Sequence, residues 1–140
     1  MIYEYTESFC YIACYNVANY MDNMFASLRN QTMKDIEIIC VDDKSTDNTV
    51  KKIREFIKSD KRISLYKLAK NHGASYARNY GLKKSNGKYV CFLDPDDFID
   101  NDFIEKLYKN ITKNKSDVAK AKFKLVGILG KDDWTQSFYL

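Results

Sequence analysis

Residues 36–41 read Ile-Glu-Ile-Ile-Cys-Val and run straight into two aspartates, Asp42 and Asp43. So continuous an apolar, β-branched run belongs to a strand buried on both faces, the mark of a parallel sheet. Parallel neighbours cannot be joined by a tight hairpin, so the chain needs crossovers long enough to hold helices. The sequence supplies them. Phe9 to Tyr15 is a short apolar run that reads as a strand, and Val17 to Leu28 has Val17, Tyr20, Met21, Met24, Phe25 and Leu28 at helical spacing. Ser45 to Asn48 offers cap residues for a helix carrying Val50, Ile53, Phe56 and Ile57 on one face. Arg62 to Leu68 alternates like a strand; Ser75 to Lys84 is helical and closes at the C-cap pair Asn86-Gly87. Tyr89 to Leu93 is a further strand, and Asn101 to Ile111 a helix turning Phe103, Ile104, Leu107, Tyr108 and Ile111 inward. Val118 to Leu129 reads as extended.

This alternation predicts an α/β fold: a doubly wound, mainly parallel sheet flanked by helices, with right-handed crossovers. The 140 residues fit a single domain, 1–140, long enough to bury roughly two-thirds of the surface of its unfolded chain. One proline and 5 glycines argue against an all-β protein built on many tight turns. The net charge of +4 is mild and calls for no nucleic-acid partner. Cys10, Cys14, Cys40 and Cys91 form no C-x-x-C, and His72 is the single histidine, so a structural zinc site is not expected. Those cysteines sit in strand-like apolar runs, which points to a reducing, cytoplasmic compartment. No apolar run reaches the ~18 residues of a membrane helix. Met1 to Ser8 has no basic stretch ahead of an apolar one, so no secretory signal is expected.

In a doubly wound sheet ligands bind beyond the carboxyl ends of the strands. Those ends carry Tyr15 and Asn16, then Asp42 and Asp43, then Asn71-His72-Gly73, then Asp94-Pro95-Asp96-Asp97. Carboxylates from two strands thus gather at one rim, where they repel one another unless a cation lies between them. Oxygen donors select Mg²⁺, Mn²⁺ or Ca²⁺ over zinc or copper. A local explanation fits other acids: Asp47 and Asp102 read as capping or first-turn residues of the helices that follow them.

The phrases Tyr15-Asn16-Val17, Leu28-Arg29-Asn30-Gln31-Thr32, Ile39-Cys40-Val41-Asp42-Asp43-Lys44-Ser45-Thr46-Asp47, Asn71-His72-Gly73-Ala74, Ala77-Arg78-Asn79-Tyr80-Gly81 and Phe92-Leu93-Asp94-Pro95-Asp96-Asp97 follow one another in order. Together they resemble family 2 glycosyltransferases of the GT-A fold, the inverting enzymes that build capsules, lipopolysaccharide and other surface glycans. The likeness runs from about Tyr11 to Lys124. It implies a nucleotide-sugar donor site. Tyr15 would stack on the base, and Asp43 would accept the base imide N–H, which favours uracil or thymine over cytosine, with a UDP-linked donor as the expectation. Asn71 and Arg78 would border the nucleotide, with an ion pair to Asp43 or Asp94 as the other reading of Arg78. Asp94 and Asp96 form the family's D-x-D element, Asp94 near the ribose and Asp96 on Mn²⁺ or Mg²⁺ bridging the diphosphate. A glycan or lipid-linked acceptor is implied, with peripheral contact at the inner face of the cell membrane and homo-oligomers as further expectations. The lysines between Lys106 and Lys124 otherwise read as a solvated face.

Three departures qualify the likeness. Ala13 stands where the family has proline, and residues 1–8 form an atypical N-terminal segment. Lys44 stands where glycine is usual. The family's general base for the acceptor hydroxyl is expected beyond Leu140, with the acceptor half absent; Asp132 and Asp133 come too early for that base. The alternatives are an inactive nucleotide-binding or interaction module and a receiver-like signalling domain. The latter needs its acidic pair after the first strand, whereas Asp42-Asp43 follow the second.

Overall fold

A computed structural model describes residues 8–121. The elements alternate: β1 (Ser8–Cys14), α1 (Met21–Arg29), β2 (Ile36–Asp42), α2 (Thr49–Ser59), β3 (Ile63–Lys67), α3 (Ala74–Leu82), β4 (Tyr89–Leu93) and α4 (Phe103–Asn114). The chain divides into two compact units between Glu105 and Lys106; the sheet and α1 to α3 belong to the first. In the second, Thr112 bonds back to the Tyr108 carbonyl within α4.

The four strands form one parallel sheet in the order β3-β2-β1-β4. The register pairs Cys14 with Asp42, Ile12 with Leu93 and Asp42 with Lys67, so the carboxyl ends of the strands lie together. Side chains alternate across the pleat. Cys10, Ile12 and Cys14 of β1 and Ile36, Ile38 and Cys40 of β2 face one side, where Met21, Met24, Phe25 and Leu28 of α1 and Ile53 of α2 cover them. The Phe25 and Phe56 rings stack 4.2 Å apart and join the two helices. Tyr11, Ile39 and Val41 face the other side against Ala77 of α3. Full burial of each such aliphatic side chain is worth about 1.5–3 kcal/mol. The chain moves outward from β1 to β3, then returns over the second face through α3 to reach β4 on the far side of β1. Strand order therefore reverses at β1, and the crevice beyond the strand ends there is the fold's natural ligand site.

Three boundaries differ from the sequence expectation. The helix expected from Val17 begins at Met21. The N–H groups of Val17 and Ala18 are claimed instead by Thr49 Oγ1 at 2.9 Å and Asp47 Oδ2 at 3.2 Å, which hold 17–20 as a turn. The helix expected to close at Asn86-Gly87 ends at Leu82 and is capped by Lys83 with φ −70°, so no left-handed cap is used. Residues 118–121 form no strand; the rest of the extended stretch to Leu129, with Asp132 and Asp133, lies outside the described residues.

Cys10, Cys14, Cys40 and Cys91 are all free thiols, the first three buried. Its hydrogen bond with Cys91, together with burial, pushes the Cys10 thiol well above the usual range, and Cys14 and burial do the same to Cys40. Cys10 and Cys40 are therefore neutral core residues. Among the described residues no helix is long and apolar enough to cross a membrane.

Candidate donor site

β2 delivers Asp43 just past its last residue. Asp43 is 3% exposed, and its N–H donates to the Cys14 carbonyl at 2.8 Å, tying the ends of β1 and β2. Its carboxylate faces the loop after β3: Oδ1 accepts the His72 N–H at 2.8 Å and Oδ2 the Gly73 N–H at 2.7 Å. Gly73 is the N-cap of α3 at φ +85°, a conformation natural to glycine, so the Asp43 charge also sits at the positive end of that helix. Outside the loop, the His72 ring stacks on Tyr76 with centroids 4.2 Å apart.

Between these walls lies a cavity of about 270 Å³ lined by Ala13, Cys14, Tyr15, Asp43, Asn71, Gly73, Ala74 and Ala77. Tyr15, Asp43 and Asn71, expected from the sequence to share a site, are thus brought together. Tyr15 is half exposed at the mouth. Ala13 is noted in the sequence only as the residue standing where the family has proline, and Ala74 and Ala77 only within longer phrases; the fold shows that these small side chains line the cavity and leave its space open.

The next loop locks the rim. Asn16 is left-handed at φ +54°, and its Oδ1 accepts the Thr46 N–H at 2.9 Å while its own N–H donates to Ser45 Oγ at 3.0 Å. Lys44 has φ +64°, which explains why glycine suits this position. Asp47 serves the start of α2, as expected, its Oδ1 accepting the Thr49 N–H at 2.9 Å, while its Oδ2 reaches across to the Ala18 N–H. Burial works against ionisation there, but the hydrogen bonds from Thr49 and Ala18 outweigh it and hold its carboxyl below the usual range.

Arg78 and the acidic phrase do not line the cavity. Arg78 donates to Asp94 Oδ1 at 2.6 Å, the ion-pair reading, with Asp94 rather than Asp43 as the partner. Asp94 follows β4 directly, and the Asp97 N–H turns back to its carbonyl at 3.1 Å. Asp94, Asp96 and Asp97 are exposed. Partial burial, then the charges of Asp96 and Asp94, push the Asp97 carboxyl above the usual range. Carboxylates crowded in this way suit a divalent cation, and their oxygens are the donors Mn²⁺ and Mg²⁺ prefer. Among the described residues no three acidic, histidine or cysteine side chains converge on one point.

The family model for glycosyl transferase family 2 matches residues 10–139. The chain belongs to that family. It is 43% identical over 112 residues to glycosyltransferase GlyA of Streptococcus pneumoniae serotype 4, covering 80% of this chain and 16% of that protein. It is 36% identical over 123 residues to the poly(ribitol-phosphate) beta-glucosyltransferase of Bacillus spizizenii, covering 86% of this chain and 19% of that one. Among solved structures it matches S. aureus TarS 1–349 in complex with UDP with a TM-score of 0.74 at 27% identity, over 79% of this chain and 33% of TarS. A TarS 1–349 structure in complex with UDP-GlcNAc matches equally well. The family 2 chain thus spans well under half the length of each, and its GT-A sheet is the expected fold.

Proposed function

We propose that this chain is the donor-binding part of a glycosyltransferase that takes a nucleoside diphosphate sugar, uridine-linked, and transfers the sugar with inversion to a glycan or lipid-linked acceptor. The observation that carries the reading is the cavity of Tyr15, Asp43 and Asn71 at the strand ends, beside the acidic turn 94–97. The UDP and UDP-GlcNAc complexes of TarS support it. Tyr15 stacks on the base. Each Asp43 oxygen is used once by the 72–73 loop and keeps a lone pair for the imide N–H of uracil. Asn71 closes the wall. Arg78 orients Asp94 toward the ribose, and Asp96 is the residue that would hold Mn²⁺ or Mg²⁺. The cation's contribution is to neutralise charge on the departing nucleoside diphosphate.

Calorimetric titration of UDP in Mn²⁺, repeated in EDTA and with GDP, tests this. The expected result is UDP binding that weakens in EDTA, with GDP much weaker throughout. A folded protein that binds no UDP under any condition would overturn the donor reading in favour of an inactive module.

A further inference from the structure

Gln31 does not line the cavity and bears no catalytic chemistry, yet it is fully buried. Its Nε2 donates to the Ser27 carbonyl at 3.2 Å and the Asp100 carbonyl at 2.7 Å, and its Oε1 accepts the Ile104 N–H at 3.1 Å. One amide therefore joins the end of α1 to the segment after the acidic turn and serves an otherwise orphaned N–H in the first turn of α4. Its neighbours extend the seam. Ser27 Oγ accepts the Ile99 N–H at 3.3 Å, and the Thr32 N–H donates to the Asn101 carbonyl at 2.7 Å. At the other end of the same segment, Arg78 holds Asp94 at 2.6 Å. Asp96 and Asp97 lie on the span between these two anchors.

We propose that Gln31 is a positioning residue for the acidic turn, setting where Asp96 stands so that it meets the cation on the donor diphosphate. The proposal rests on the donor reading above. Within the turn Pro95 is buried and the Asp97 N–H bonds back to the Asp94 carbonyl at 3.1 Å, which fixes its local shape; the contacts at its two ends fix where that shape stands. With the Gln31 contacts removed, the Ser27 and Thr32 bonds are left to hold the downstream end, and the looser Asp96 suits less well a cation demanding fixed oxygen geometry. Groups that orient metal ligands typically govern metal affinity by about 10–100-fold.

The test compares the parent with Gln31→Ala and the milder Ser27→Ala, each checked for folding by circular dichroism. Two quantities are measured: the Mn²⁺ concentration at half-maximal UDP binding, and the affinity for uridine, which fills the base cavity without a diphosphate. Gln31→Ala should need about 10–100-fold more Mn²⁺ while its uridine affinity stays within about twofold. Ser27→Ala should shift the Mn²⁺ requirement several-fold in the same direction, and it decides the matter if Gln31→Ala does not fold. An unchanged Mn²⁺ requirement in a folded variant, or an equal loss of uridine binding, would overturn the positioning role. A parent that binds neither uridine nor UDP would sink the donor reading and this inference with it, an outcome distinct from a variant that behaves like its parent.

Discussion

At Asp43 a carboxylate assigned to a nucleobase also holds the two backbone N–H groups of His72 and Gly73. Asn in its place keeps one acceptor and turns an N–H toward a second donor. We expect Asp43→Asn to lose about 1.5–3 kcal/mol in urea unfolding, as for a hydrogen bond to a buried charge, and also to lose UDP affinity. Unfolding identical to the parent would show that the loop is held by other means. Asp60 provides the pH counterpart. Hydrogen bonds from the Arg62 side chain hold its carboxyl below the usual range, with an Nη2–Oδ2 distance of 2.6 Å. A depressed folded pKa adds stability above the unfolded value of about 3.9 that is lost as pH falls through the folded one. Asp60→Asn should therefore flatten the fall in urea midpoint between about pH 5 and 2; an unchanged slope would assign acid sensitivity to other groups. At Lys44, φ +64° predicts that Lys44→Gly leaves stability equal or raises it by up to about 1 kcal/mol.

At the scale of elements, α3 governs the second face of the sheet. A Cβ on Gly81 would meet Tyr11 Cδ1 at 2.6 Å and Val41 Cγ2 at 3.2 Å, so glycine is what lets the helix seat against β1 and β2. Gly81→Ala should cost about 1–3 kcal/mol by overpacking, read as a lower thermal midpoint. A smaller loss would mean that the Tyr11 ring swings aside freely. The element types were legible because periodicity is local: β2 and the apolar stripes of α1 and α2 stand in the sequence. The boundaries were not. α1 begins late because Asp47 and Thr49, about thirty residues downstream, bind the N–H groups of Ala18 and Val17, and no local pattern announces that competition.

For the whole molecule, the strand order β3-β2-β1-β4 sets the ends of β2, β1 and β4 side by side, and with them the cavity proposed for the donor and the acidic turn, although Asp43 and Asp94 are far apart in the chain. A ligand that spans both binds the folded state alone. At one hundred times its Kd, UDP with Mn²⁺ should add about 2.7 kcal/mol, a rise of roughly 8–10 °C in thermal midpoint for a domain of this size. UDP with EDTA at the same concentration should give a clearly smaller rise. Equal shifts would place the diphosphate away from the acidic turn.

The sequence by itself determined the alternation of strands and helices, the family, and the residue types at the strand ends, because side-chain periodicity and turn chemistry act over a few neighbouring residues. Tertiary structure alone decided that Arg78 pairs with Asp94 rather than Asp43, that Asp43 latches the 72–73 loop, and that the Gln31 amide joins α1 to the segment behind the acidic turn. The partners of Asp43 and Gln31 are backbone N–H and carbonyl groups, identical at every residue, so only the folded path of the chain selects them.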